Sequence, residues 1–373
     1  MTPAAALVRA LAAGEAPEPG HAALSESDWR AAGDLAALHQ VDALCWWMSR
    51  PLERGGTLEL PRALHDRWRL AYLHHRLRNE ALANDLARLL DELAAAGVEA
   101  LCLKGPWMAF HAFPDPGTRP VGDIDLCVRE THYSGALDAL RSAGWRSRDP
   151  LPGNVAEALW ESHYRRQLRF TARGRRPVEL HFRLLNMGPP GAPENWVWDN
   201  ARELRLGSTR LRVPGPEAML LHLLLHANQH GFAVLRLLHD VRWAIEADRM
   251  VVDMAAFRHT VRGLGCAASC YHALELAAEL AGARLPDGVE RLRPSLPRRA
   301  LFSRLWRLEA ARRLAAVRRR QEMESPLFYL LEMGRPVDKL LYALRVTAAA
   351  GGPLRLARAM MRLTAPPRRG AGR

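Results

Sequence analysis

Between Leu103 and Val128 the chain reads LKGPWMAFHAFPDPGTRPVGDIDLCV, and the two ends of this stretch decide the fold. At the far end, Asp123 and Asp125 alternate with Ile124 and Leu126, which is strand spacing. Residues i and i+2 of a strand leave from one face, so both carboxylates would point into one space. Two ionised acids side by side repel each other, and a divalent cation is the usual compensation. At the near end, Lys104-Gly105 closes the apolar run VEALCLK. A strand that turns into a helix there offers free backbone N–H groups to a phosphate. Between the two ends, PDPGTRPVG is dense in Pro and Gly and reads as a loop. A D-x-D alone also fits a surface turn that holds two acids. With the Lys-Gly turn before it, the pair points to phosphoryl or nucleotidyl transfer.

Working outward, SGALDALRSAG after the D-x-D strand reads as a helix that Gly144 ends. Then YRRQLRFTA and PVELHFRLL flank Arg173-Gly174-Arg175-Arg176, a hairpin pattern. A second hairpin, RELRL and TRLRV around Gly207-Ser208, ends at Pro214. Upstream, residues 1–96 read as helices, and the long amphipathic stretch from Leu64 to Ala96 lies between Pro61 and Gly97 as start and stop signals. From Pro216 to Gly282 the pattern is helical again. Its first segment, PEAMLLHLLLHANQH, is apolar nearly all round and therefore expected to be buried. Trp196 and Trp198 in NWVWDN alternate like an extended segment, with core packing their expected role. The expectation is an α+β fold, a mixed core with a small, mostly antiparallel or mixed sheet flanked by α-helical domains. The divisions expected are 1–96 (helical), 97–213 (α/β core), 214–285 (helical) and 286–373 (basic helices and a disordered tail).

Two-metal phosphoryl chemistry wants a third acid. Glu179 is the candidate, since it sits in a strand pattern between Val178 and Leu180, where a charge needs a reason. His181, two residues on, shares its face. An exposed strand face with alternating polar residues is the other reading of both. At this point LKG (Leu103–Gly105), RPVGDIDLCV (Arg119–Val128), VELHFRL (Val178–Leu184) and the segment His226–Val241 together resemble the DNA polymerase β-type nucleotidyltransferase superfamily. More narrowly, they resemble its uncharacterised bacterial nucleotidyltransferases, over residues from about 70 to 285. The resemblance implies Asp123 and Asp125 as paired ligands of Mg²⁺ or Mn²⁺. It implies Glu179 as the third carboxylate, which aligns or deprotonates the attacking hydroxyl, and Gly105 as the glycine of the turn that receives the triphosphate. The substrates implied are an NTP, with ATP expected, and an acceptor that is a small molecule, a peptide or protein, or a nucleic-acid end. Pro106 departs from the superfamily, which often has Ser or Gly there, and removes one N–H from the turn. Lys104, and Arg119 from the loop, would supply charge in its place. The departure keeps open an alternative, a non-catalytic nucleotide-binding or regulatory protein on a degenerate fold of this kind.

His222, His226 and His230 recur every four residues along one helical face, followed by His239-Asp240. They read as hydrogen-bonded core histidines or, less simply, as a metal stripe for a hydrolase, although no HExxH is present. The resemblance places His226, His230 and Asp240 beside the core, where they would line the acceptor or base pocket. The 373 residues carry a formal charge of +13, much of it after Arg291, which fits solvated helix faces or an anionic partner. Five scattered cysteines without a close CxxC pair, the lack of an early basic region at the N-terminus and the lack of an apolar run of about 18–20 residues lead to the expectation of a cytoplasmic protein with reduced thiols.

Overall fold

The computed structural model describes residues 2–17, 24–147, 150–154, 167–184, 194–248 and 251–304. Four helices come first: α1 (Pro3–Ala13), α2 (Glu26–Leu38), α3 (Asp42–Arg54) and α4 (Arg62–Ala95). Their ends follow from sequence. Thr2 caps α1 ahead of a proline at its first turn, and Ser25 with Asp28 forms a reciprocal capping box on α2. Helix α4 starts after Pro61 and runs 34 residues, a rod of roughly 50 Å. It buries Leu64, Trp68, Tyr72, Leu82, Leu86, Leu89 and Leu93 at helical spacing, and each such side chain contributes about 1.5–3 kcal/mol.

The core follows as expected, in shorter strands. Strand β1 (Ala100–Cys102) leads into α5 (Lys104–Trp107), which continues as a π-turn over Met108–Ala112. The Pro/Gly loop contains one 3-10 turn (Pro116–Thr118) before β2 (Ile124–Val128), α6 (Tyr133–Ser142), β3 (Arg146–Ser147), β4 (Leu168–Thr171) and β5 (Val178–His181). The five strands lie in the order β1-β2-β5-β4-β3. Only β2 and β5 run parallel; the other neighbours are antiparallel, so the sheet is mixed. Every residue of β2 and β5 is buried, which fits central strands covered on both faces.

Beyond the sheet, α7 (Asn195–Asp199) contains Trp196 and Trp198, so this segment is a short helix and not the extended stretch its alternation suggested. The second hairpin forms as β6 (Arg202–Leu206) and β7 (Thr209–Val213). Helices α8 (Pro216–Gln229), α9 (Leu235–Glu246), α10 (Met254–Gly263) and α11 (Ala267–Ala281) complete the described fold. Helix α8 is buried on nearly every side, as its composition predicts. The apolar interior is continuous from Ala4 to Phe302, with the helical flanks and the sheet sharing it. All five cysteines are buried free thiols. No helix among the described residues is long and apolar enough to cross a membrane. The basic segment expected after Arg291 lies outside the described residues from position 305 onward.

Candidate metal and nucleotide site

The parallel pairing of β2 with β5 places Asp125 opposite Glu179 and Cys127 opposite His181. Partners in register leave the sheet on one side, and the side chains converge: ligating atoms of Asp125, Glu179 and His181 all lie within 4.8 Å of one another. His181 Nε2 is 3.2 Å from Asp125 Oδ1. Asp125 is fully buried, and its second oxygen, Oδ2, has no hydrogen-bond partner. An ionised carboxylate oxygen left bare in the interior carries a desolvation penalty that a bound cation would relieve.

Asp123 sits on the bend just before β2, half-buried, and stays outside this close set. His181 is the third member of the close set, alongside Asp125 and Glu179. The paired strand begins at Ile124, one residue after Asp123. Asp123 still belongs to the same electrostatic unit. Burial and the charge of Asp125 raise its pKa, against the opposing pull of Lys104, Arg236 and Arg119.

Lys104 opens α5 and reaches Asp125 Oδ1 at 3.3 Å. Burial works against its ammonium, but Asp125, Asp123 and Glu179 outweigh burial and hold its pKa above the ordinary lysine value. Glu179 goes the other way. Burial first, then repulsion from Asp123 and Asp125, push its carboxyl up to about 7. Burial would also raise Asp125, yet Lys104 and the His181 hydrogen bond win and keep its pKa below the usual aspartate value.

The turn at Gly105 is tight. A Cβ there would lie 3.1 Å from Val121 Cγ1 and 3.3 Å from the Asp123 carbonyl oxygen. Pro106 falls in the first turn of α5, where a backbone N–H has no helical acceptor in any case, so the ring costs no helical bond. The Pro/Gly loop is laid against α4. Asn79 donates to the carbonyls of Pro116 (2.7 Å) and Arg119 (2.8 Å). Gly117 packs so close to Tyr72 that a Cβ would come within 2.5 Å of its ring.

That loop delivers Arg119 inward. Its guanidinium makes two bonds to Asp240, Nε–Oδ1 at 2.7 Å and Nη2–Oδ2 at 2.9 Å, and donates from Nη1 to the Gly105 carbonyl at 3.3 Å. Arg119 therefore braces the turn from below, where the sequence pattern suggested a free charge for phosphates. Asp240, 1% exposed, is covered by Arg119 and by Arg236 (Nη1–Oδ2, 2.9 Å), so both of its oxygens are engaged in holding the loop. His226 on α8 and His230, which caps its C-terminus, are half-buried, with His226 stacked on His222 and edge-on to His230. The histidine stripe itself makes no three-ligand cluster; the described residues gather one only at Asp125, Glu179 and His181.

Two residues had weak sequence signals. Arg236 donates to Gln40 at 2.7 Å and to Asp240, and its charge is felt at Asp123. Only the R-x-x-x-D spacing to Asp240, one helical turn, hinted at it. His222 approaches the Leu184 carbonyl through Nδ1 at 3.1 Å and leaves Nε2 buried without a partner.

Among proteins of curated function, none matches this chain. A solved structure, the solution structure of the antibiotic-resistance factor ANT(2'')-Ia, aligns over 50% of this chain and 96% of its own at 14% identity, with a TM-score of 0.35. A family described as uncharacterised nucleotidyltransferases matches residues 25–282, a span that contains α2 to α11 and every residue of the site above. On that match the chain belongs to this family of nucleotidyltransferases.

Proposed function

We propose that the chain is a metal-dependent nucleotidyltransferase. It would move a nucleoside monophosphate from an NTP, with ATP the expected donor, to a hydroxyl or phosphate acceptor and release pyrophosphate. The observation that carries this reading is the convergence of Asp125, Glu179 and His181 within 4.8 Å, beside the Lys104-Gly105 turn. The residues fit a divalent cation, because the bare Oδ2 of Asp125 is a buried acceptor with no other partner. When bound, such a cation neutralises phosphate charge and stabilises in-line displacement.

The chain's own groups supply the rest. Asp125, Glu179 and His181 hold the cation, with Asp123 at hand as a further carboxylate. Lys104, released from Asp125, turns its ammonium to the phosphates at the Gly105 turn. Glu179 would align the acceptor hydroxyl or accept its proton. The acceptor oxygen bonds to the α-phosphorus as the bond to pyrophosphate breaks.

A second reading is nucleotide binding without turnover. Its specific support is Lys104, an internal cation that already sits 3.3 Å from the central carboxylate. Incubating the full chain with labelled NTPs and Mg²⁺ or Mn²⁺ separates the two. The enzyme reading expects transfer or hydrolysis that falls by at least about a hundredfold in Asp125→Asn. Tight NTP binding that ignores metal and never turns over favours the second reading. No nucleotide binding by wild type or variant removes both.

A further inference from the structure

Mg²⁺ takes a nearly complete shell of oxygen ligands and water, whereas imidazole nitrogen suits first-row transition ions. The close cluster here is not all oxygen. His181 Nε2 lies 3.2 Å from Asp125 Oδ1, within hydrogen-bond distance, and with Glu179 it completes the set within 4.8 Å. A second buried imidazole, His222, meets the chain just past His181, at the Leu184 carbonyl. His222 is 8% exposed, and the carbonyl of Leu184 can only accept, so Nδ1 carries the proton and Nε2 presents a lone pair. That lone pair is buried and unpartnered. Burial together with the nearby Lys104 charge lowers the pKa of this ring and keeps it neutral.

We infer that the cluster takes a nitrogen-accepting divalent transition ion, of the class Mn²⁺, Co²⁺ or Zn²⁺, in preference to Mg²⁺, with His181 Nε2 as a direct ligand and His222 as a neutral imidazole of the outer shell. The inference rests on the metal reading above and adds the identity of the ion. Metal entry replaces the His181–Asp125 hydrogen bond. The imidazole gives its Nε2 lone pair to the ion and keeps one proton on Nδ1, exchanged through solvent. The Lys104 ammonium yields Asp125 at the same time, since two cations do not share one carboxylate oxygen without repulsion. A metal-ligating or metal-facing imidazole is commonly fixed by a carbonyl on its other nitrogen, which is the arrangement of His222 with Leu184.

The test uses the full chain, freed of metal, with Mn²⁺ as the probe. Pulsed electron paramagnetic resonance should show ¹⁴N coupling from a directly bound imidazole in the wild type, a readout that needs no variant and no activity. The coupling should vanish in His181→Gln, and the preference for Mn²⁺ over Mg²⁺ in competition titrations should fall by about tenfold. His222→Gln should keep the coupling and lower Mn²⁺ affinity by about tenfold, the usual size of an outer-shell loss. Bound Mn²⁺ without ¹⁴N coupling, or Mg²⁺ competing equally well in wild type and His181→Gln, overturns the inference and leaves an oxygen-only metal site standing. No Mn²⁺ binding with or without an NTP overturns the metal reading itself.

Discussion

Two buried charged clusters face each other across the Gly105 turn, and they are finished to different degrees. In one, Arg119, Asp240 and Arg236 satisfy each other: both oxygens of Asp240 are taken, and the guanidinium of Arg119 divides its donors between Asp240 and two backbone carbonyls. In the other, Asp125, Glu179 and His181 gather around a single ammonium from Lys104, with Oδ2 of Asp125 and Nε2 of His222 left bare. Both sit in surroundings where unpaired charge is costly. The closed cluster is architecture. The open one carries surplus acceptors that only a cation or a proton donor from outside can satisfy, and that surplus is the mark of a binding site.

The sharpest way to break this contrast is to open the closed cluster. Asp240→Ala strands the Arg119 guanidinium, 3% exposed, without its carboxylate. A loss of about 3–5 kcal/mol in chemical denaturation is expected, the usual result of removing one partner of a buried pair. A loss below about 1 kcal/mol would mean that the pair does not anchor the loop.

In the open cluster the sign reverses. The folded protein holds a proton on Glu179 up to about 7, against an ordinary value of 4.5. Between those two values the native state binds more protons than the unfolded chain, so stability falls as pH rises through the window, by on the order of 2–3 kcal/mol. Glu179→Gln should remove that slope and make the metal-free protein more stable above pH 7. Asp125 does not blur the window, because its lowered pKa confines its contribution to the acid side, where stability is lost as pH falls. Thermal melts of the two proteins from pH 4 to 8, without divalent metal, provide the check; parallel curves would refute the surplus-charge account. The smallest effect belongs to Arg236→Lys. It keeps a charge near Asp240 but loses the bond to Gln40, for about 1 kcal/mol in the denaturation midpoint.

Much of this was legible from sequence because local signals agreed with the fold. The D-x-D pattern, the Lys-Gly turn, the glycine at 174 between two alternating strands and the proline before α4 each act within a few residues, and each appears where its chemistry places it. What sequence could not show was pairing across distance. The register of β2 on β5 brings His181 into the close set, and Asp123 stays outside it. Arg119 and Asp240 are 121 positions apart, so nothing local shows that one consumes the charge of the other. The tryptophans of NWVWDN misled for a related reason: alternation over four residues fits a strand or one turn of helix, and only packing against the core decides.

The contact of α4 with the Pro/Gly loop sets a lower limit on how small a working unit can be. Asn79 holds two carbonyls of that loop, and Tyr72 forms the surface on which Gly117 rests. Arg119 leaves the same loop to brace the turn that bears Lys104. A fragment beginning at the first strand would keep every ligand of the cluster and lose the floor beneath it. The long helix is thus the foundation of the site and not an appendage, and a transplant of this chemistry into another scaffold would have to carry it along.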